Sequence, residues 1–137
     1  MDTREAAERF ARTWEAGWAR GEVDAIAGLY AEDAVHRSMP FRPEHRGRAG
    51  VVQYVRWAFS AERASGVRFG DPVVAGDMAV VEFWATLVEE PDGKPVTIAG
   101  CALVRFRRDG LVAEARDYWN LADGHQPPTG REFLTAR

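Results

Sequence analysis

Cysteine is almost missing from this sequence. Cys101 stands alone, so no internal disulfide can form and a cytoplasmic setting is the default expectation. Lysine is as scarce: Lys94 is the only one, and arginine carries nearly all the positive charge. No block of like charge occurs, and bases and acids interleave around a net charge of −3. The basic footprint of a nucleic-acid binder is therefore lacking. No apolar run reaches membrane-spanning length, and the charged start "MDTREAAERF" reads as a helix and not as a secretory leader. His36, His45 and His125 show no ligand spacing and Cys101 has no cysteine partner, so no metal or other cofactor is expected. A G-x-S-x-G elbow and a glycine-rich phosphate loop are also absent. Cys101 itself reads as a small core residue.

What is present fits one globular domain over residues 1–137, 46% hydrophobic and 28% charged. Ala7, Phe10, Ala11, Trp14 and Trp18 recur at helical spacing over residues 3–20, and Gly21 ends the pattern. A second helix is predicted over 23–30, then a short strand through "AVHRSMP" closed by Pro40. "FRPEHRGR" reads as a loop, and a third helix follows over 48–61. Beyond it the period changes to two. "VRFGDPVVAGD", "MAVVEFWATLVEE", "KPVTIAGCALVRFRRD" and "LVAEARDYWN" predict four antiparallel strands joined by hairpin turns. The tail from about residue 122 reads as irregular. Helices first and a meander afterwards give an α+β arrangement: three N-terminal helices on a strongly curved, mainly antiparallel sheet, a cone with an internal cavity.

One residue of the last strand stands out. In "VAEARDYWN", alternation puts Asp117 on the drier face with Ala113, Ala115 and Trp119, opposite Glu114, Arg116, Tyr118 and Asn120. A carboxylate there needs a partner or a purpose. A structural role at the sheet rim is the alternative to a functional one. In an apolar cavity the charged form of a carboxylate is disfavoured, which suits a group that takes and returns a proton near neutral pH. His36 and Ser38 face inward if Val35 and Arg37 face out. A His36–Asp117 dyad then becomes the polar centre of the cavity. Trp14, Met39, Phe41, Tyr54, Trp57, Phe83, Ala85 and Trp119 are the expected apolar lining. Loop 39–47 and the tail after Ala122 are placed to cover its mouth. Glu82, Trp84, Thr86 and Val88 fall on the convex side. Arg105 and Arg107 reach the cavity only if their strand turns that face inward.

The order of elements, with "LYAEDAVHRSMP", "RGR" and "DGLVAEARDYWN", resembles the nuclear-transport-factor-2-like superfamily, and within it the SnoaL-like polyketide cyclases and limonene epoxide hydrolase. The resemblance covers about residues 5–122. It implies a cystatin-like α+β roll, an aspartate acting as general acid/base or activating water at Asp117, and pocket positions at His36 and Ser38. It also implies pairing of two subunits through the convex face, with Glu82 and Trp84 at its centre. The hydrolase's arginine and second aspartate fall on Phe83 and Ala85, so that charged set is missing.

Three readings follow. The first is a cofactor-free enzyme that cyclises, isomerises or dehydrates a small, hydrophobic, polyketide- or terpenoid-like substrate. An epoxide hydrolase with an altered catalytic set and a non-catalytic ligand-binding module are the alternatives.

Overall fold

A computed structural model describes residues 1–134. Helix α1 spans Thr3–Arg20. The Asp2 carboxylate accepts a hydrogen bond from the Glu5 N–H at 2.8 Å and so caps its start. Gly21, at φ 71°, closes its end in a left-handed turn that glycine adopts without strain. Its apolar stripe buries Phe10 and Ala11 and continues through Trp14 and Trp18.

Helix α2 is shorter than its periodicity predicts, covering Val23–Ala27. Tyr30 already belongs to strand β1, Tyr30–Ser38, because pairing with Val112 and complete burial of its ring override one more helical turn. The expected loop contains a two-residue strand β2, His45–Arg46, that pairs with β1. Helix α3, Gly47–Ala61, passes directly into β3, Glu62–Phe69. The segment expected as one strand over 67–77 is two, because Pro72 lacks the N–H a ladder needs; β4 is Val73–Ala75. β5 spans Met78–Glu89, β6 Lys94–Phe106, and β7 Val112–Asp123, running past the expected end of the last strand.

The sheet has the order β2-β1-β7-β6-β5-β3, with β4 on β5. Neighbours are antiparallel except β1 and β7, which pair in parallel. The sheet is thus mixed, mostly antiparallel, curved and unclosed. Irregularities between Ala64 and Gly66 and opposite Arg105–Phe106 accentuate its coil. At the second of these Ala113 is left out of the ladder, so Val112 takes its place in the core and Ala113 does not share Asp117's face in simple alternation.

The concave face and α1 meet through rings. Phe69 stacks on Phe83 at 5.5 Å between centroids, and Trp18 meets both edge-on at 6.4 and 6.0 Å. These contacts close one end of the cone and leave space towards α3.

The tail corrects an expectation. Through residue 134 it crosses the opposite, convex face and not the cavity mouth. Thr97 Oγ1 donates to the Gly124 carbonyl at 2.7 Å, and the Trp84 indole N–H donates to the Gln126 carbonyl at 2.8 Å. The Phe133 N–H donates to Glu82 Oε1 at 2.6 Å. Glu82 and Trp84, expected at the centre of a subunit interface, are thus held by the chain's own tail.

Candidate active site

The strand pairing places the site. Ser38 on β1 lies opposite Asp117 on β7, and His36 opposite Ala115. Residues paired in this way share a face. Ala115 is small, so the imidazole leans across it towards the next residue along. His36 Nε2 ends 3.1 Å from Asp117 Oδ2, with the histidine 1% and the aspartate 17% exposed. The approach is a close polar contact off the axis of an aligned hydrogen bond, and neither ring nitrogen has a well-aligned partner among the described residues. Tyr54 lies over the imidazole at 5.2 Å between centroids, and Tyr30 meets it edge-on at 6.0 Å.

Hydrogen bonds fix the surrounding frame. The Trp119 indole donates to Ser38 Oγ at 3.0 Å. The Met39 N–H donates to the Asp117 carbonyl at 2.9 Å, while Met39 Sδ accepts from the Trp119 N–H at 3.4 Å. Met39 holds φ at 76°, a left-handed conformation that is strained for a residue with a side chain. The strain lies where β1 must end to bring Ser38 beside Asp117. Burial, followed by the charge of Asp117, pushes the Tyr54 phenol up to about 12, with a Ser38 hydrogen bond pulling the other way. Tyr54 therefore keeps its proton at neutral pH and can donate it to a developing oxyanion.

Asp117 opens onto a cavity of about 330 Å³ between α1, α3 and the concave sheet. Of the expected lining, Trp14, Ser38, Tyr54, Trp57, Phe83 and Trp119 are there. Three expected residues are not. Phe41 sits fully exposed on the loop after β1. Ala85 is buried in a separate cluster with Leu87 and Val96, packed against Trp18. Met39 turns its sulfur to the Trp119 backbone instead of the cavity. Arg105 and Arg107 pair with Asp77 and Asp109 at 3.1 and 2.9 Å, away from the site. Among the described residues no group of three His, Cys, Asp or Glu side chains is placed to hold a metal.

Other lining residues escaped the sequence reading. Arg42 sits with its guanidinium 5.1 Å from the centre of the Trp119 ring. Glu62 is the more consequential. It follows α3 with no turn residue between, since the helix ends in an extended residue, φ −151° and ψ 162° at Glu62 itself. The only trace in the sequence is the weak alternation of "ERASGV". The Trp18 indole donates to Glu62 Oε1 at 3.1 Å. Desolvation pushes its carboxyl from 4.5 up to about 7; the Trp18 hydrogen bond opposes the rise and the charge of Glu89 adds to it.

That shift carries a stability signature. Between about pH 4.5 and 7 the native state keeps a proton that the unfolded chain has released. Native stability contributed by this proton is present at the acid end and is lost as pH rises. Allowing for partial solvent screening, the loss is about 1–2 kcal/mol, or roughly 3–8 °C in Tm. The Tm of the wild type relative to Glu62→Gln should therefore fall between pH 4.5 and 7.5. A difference flat across this range would place Glu62 in water.

Comparison with known proteins agrees with this fold. Residues 8–115 match the family described as the SnoaL-like domain. The chain belongs to the SnoaL-like family. No protein of curated function matches the sequence. Among solved structures, this SnoaL-like chain is similar to a protein from Bacillus subtilis named as an isomerase, with 24% identity, TM-score 0.75, and 88% of this chain and 90% of that one covered. It is also similar to the epoxide hydrolase/cyclase-like enzyme SalBIII, named for pyran ring formation in the polyether salinomycin; identity is 19%, TM-score 0.76, coverage 89% and 98%. A third, from Mesorhizobium loti, is named as a SnoaL-like polyketide cyclase, with 22% identity, TM-score 0.72, and coverage 86% and 99%. At these identities the likeness is one of fold. No helix among the described residues is long and apolar enough to cross a membrane.

Proposed function

We propose that this SnoaL-like domain is an enzyme that moves a proton within a small, largely hydrophobic molecule, with Asp117 as the acid/base and His36 as its partner. Suitable reactions are cyclisation, isomerisation or dehydration of a polyketide- or terpenoid-like compound. The observation that carries the proposal is the 3.1 Å contact of the buried His36 with Asp117, which stands on the wall of a largely apolar cavity. The aspartate takes a proton from an acidic C–H, His36 holds its carboxylate in place, and the Tyr54 hydroxyl donates a hydrogen bond to the enolate oxygen that forms. The same carboxylic acid then returns the proton elsewhere on the carbon skeleton. The aromatic walls exclude water and hold the substrate in place, which supplies a further part of the rate. This chemistry requires no group beyond these side chains.

Phe83 and Ala85 count against the epoxide-hydrolase alternative. Phe83 is stacked into the aromatic wall, and Ala85 does not reach the cavity. β5 thus offers no charged pair to bind an epoxide and a water. Two probes separate the readings. In D₂O, the bicyclic ketone 2-tetralone should acquire deuterium at its acidic α-carbon faster with the protein than without it. In ¹⁸O-labelled water, styrene oxide should yield no labelled diol above background. Labelled diol without ketone exchange would replace this proposal with hydrolysis, and silence on both would favour a binding module.

A further inference from the structure

We propose that the ligand of this cavity carries a cationic nitrogen, held at Glu62 among the rings of Trp18, Trp57 and Phe59, so that its chemical class is an apolar body bearing an amine. The inference rests on the reading above only in taking the same cavity as the binding site; it needs no chemistry at Asp117.

Glu62 lines the cavity with these three rings. Its Oε1 accepts the Trp18 indole N–H at 3.1 Å. The cations nearby in the fold are engaged elsewhere: Arg63 with Glu90 at 3.7 Å, Arg20 with Glu22 at 3.7 Å, and Lys94 with Asp123 at 3.2 Å. A carboxylate drawn out of water with one neutral donor and no counter-ion among the described residues is unfavourable, and removal of a partner charge is the costly half of any buried pair. A ligand cation would supply that missing half. The rings that line the cavity with Glu62 suit the same kind of group, because the negative quadrupole of a ring face favours an ammonium over a hydrocarbon. The balance of the lining agrees. Asp117, Glu62 and Glu89 face one arginine, Arg42, which is already over Trp119. An anionic ligand would meet like charge there, and a neutral hydrocarbon would leave Glu62 uncompensated.

Burial raises the Glu62 carboxyl to about 7, so a cation and a neutral acceptor give opposite pH dependences. A cation binds more tightly as Glu62 ionises, whereas a carbonyl ligand would bind the protonated acid and weaken. The other groups facing this end of the cavity are Glu89 on β5, Tyr54 on α3, and Asp117 and Arg42 deeper in. Arg20 and Arg63 flank a shallow depression on its outer side.

The test uses two probes of one shape, phenyltrimethylammonium and tert-butylbenzene, titrated against tryptophan fluorescence at pH 6 and pH 8. The wild type should prefer the cation by about tenfold at pH 8 and by less at pH 6. Glu62→Gln keeps an oxygen for the Trp18 indole and should cut the ratio several-fold and remove its pH dependence, leaving only the preference of the rings. Equal affinities in the wild type, a preference undiminished by Glu62→Gln, or one that weakens as pH rises would each overturn the proposal. If tert-butylbenzene binds without any cation preference, only this inference falls. If neither probe binds, the assignment of the cavity as the binding site falls with it.

Discussion

Asp117→Asn should slow deuterium exchange into 2-tetralone by about 10²–10⁴-fold, towards the rate in buffer alone. The substitution preserves the shape of the side chain but removes the one group on that wall able to accept a proton from carbon. Folding should survive. The amide still reaches His36, and the backbone bond from Met39 to the Asp117 carbonyl does not involve the side chain. His36→Gln should cost less, roughly tenfold, because it removes a group that positions the carboxylate while Asp117 itself remains. The pair therefore gives an ordered result: the aspartate variant is much slower than the glutamine variant, and both keep the wild-type near-ultraviolet dichroism. Equal, small losses would make the contact a structural one. Loss of the dichroism in Asp117→Asn would show that the carboxylate holds β1 against β7, and the proton-transfer role would then have no support.

The centre of the site was legible in the sequence because it depends on a local rule. Alternation puts Asp117 and Trp119 on the drier face of one strand and His36 and Ser38 on a common face of another, and the family resemblance implied that this second face is the pocket side. The parallel register of β1 and β7 then brings the two sets together. What alternation could not show depends on irregular or long-range contacts. Ala113 is displaced by a bulge that no local pattern marks. Glu62 begins a strand without a turn before it, so no local signal sets it apart from the end of α3. Phe41 looked like a lining residue by its chemistry, but the left-handed turn at Met39 sends the loop outward. The tail's route over the convex face is set by partners such as Trp84 and Gln126, 42 residues apart. Helices and strands were otherwise readable because their apolar residues recur with the periods that a one-sided core requires.

Gly100→Ala should be among the most destabilising single-methyl changes in the chain, costing about 2–3 kcal/mol and lowering Tm by roughly 6–12 °C. Gly100 pairs with Phe83 on one side and Trp119 on the other, at the point where β7 folds over β6. A Cβ there would land on the Tyr118 carbonyl oxygen and on the Trp119 backbone, well inside van der Waals contact. Backbone cannot swing aside as a flexible side chain can, so β7 must move as a unit. Asp117 lies two residues from Trp119, and the shift should reach the site too. Ketone exchange in Gly100→Ala should fall even at temperatures where the protein is fully folded. Gly28→Ala is the control. Gly28 is right-handed at φ −63°, and its nearest contact to a new Cβ is 3.5 Å, so its Tm should stay within about 2 °C of wild type. If both alanines behave alike, the close approach of β6 and β7 is not what curves this sheet. The cavity would then owe its shape to the bulges at Ser65 and Ala113, and an alanine at Gly100 would leave Asp117 where it is.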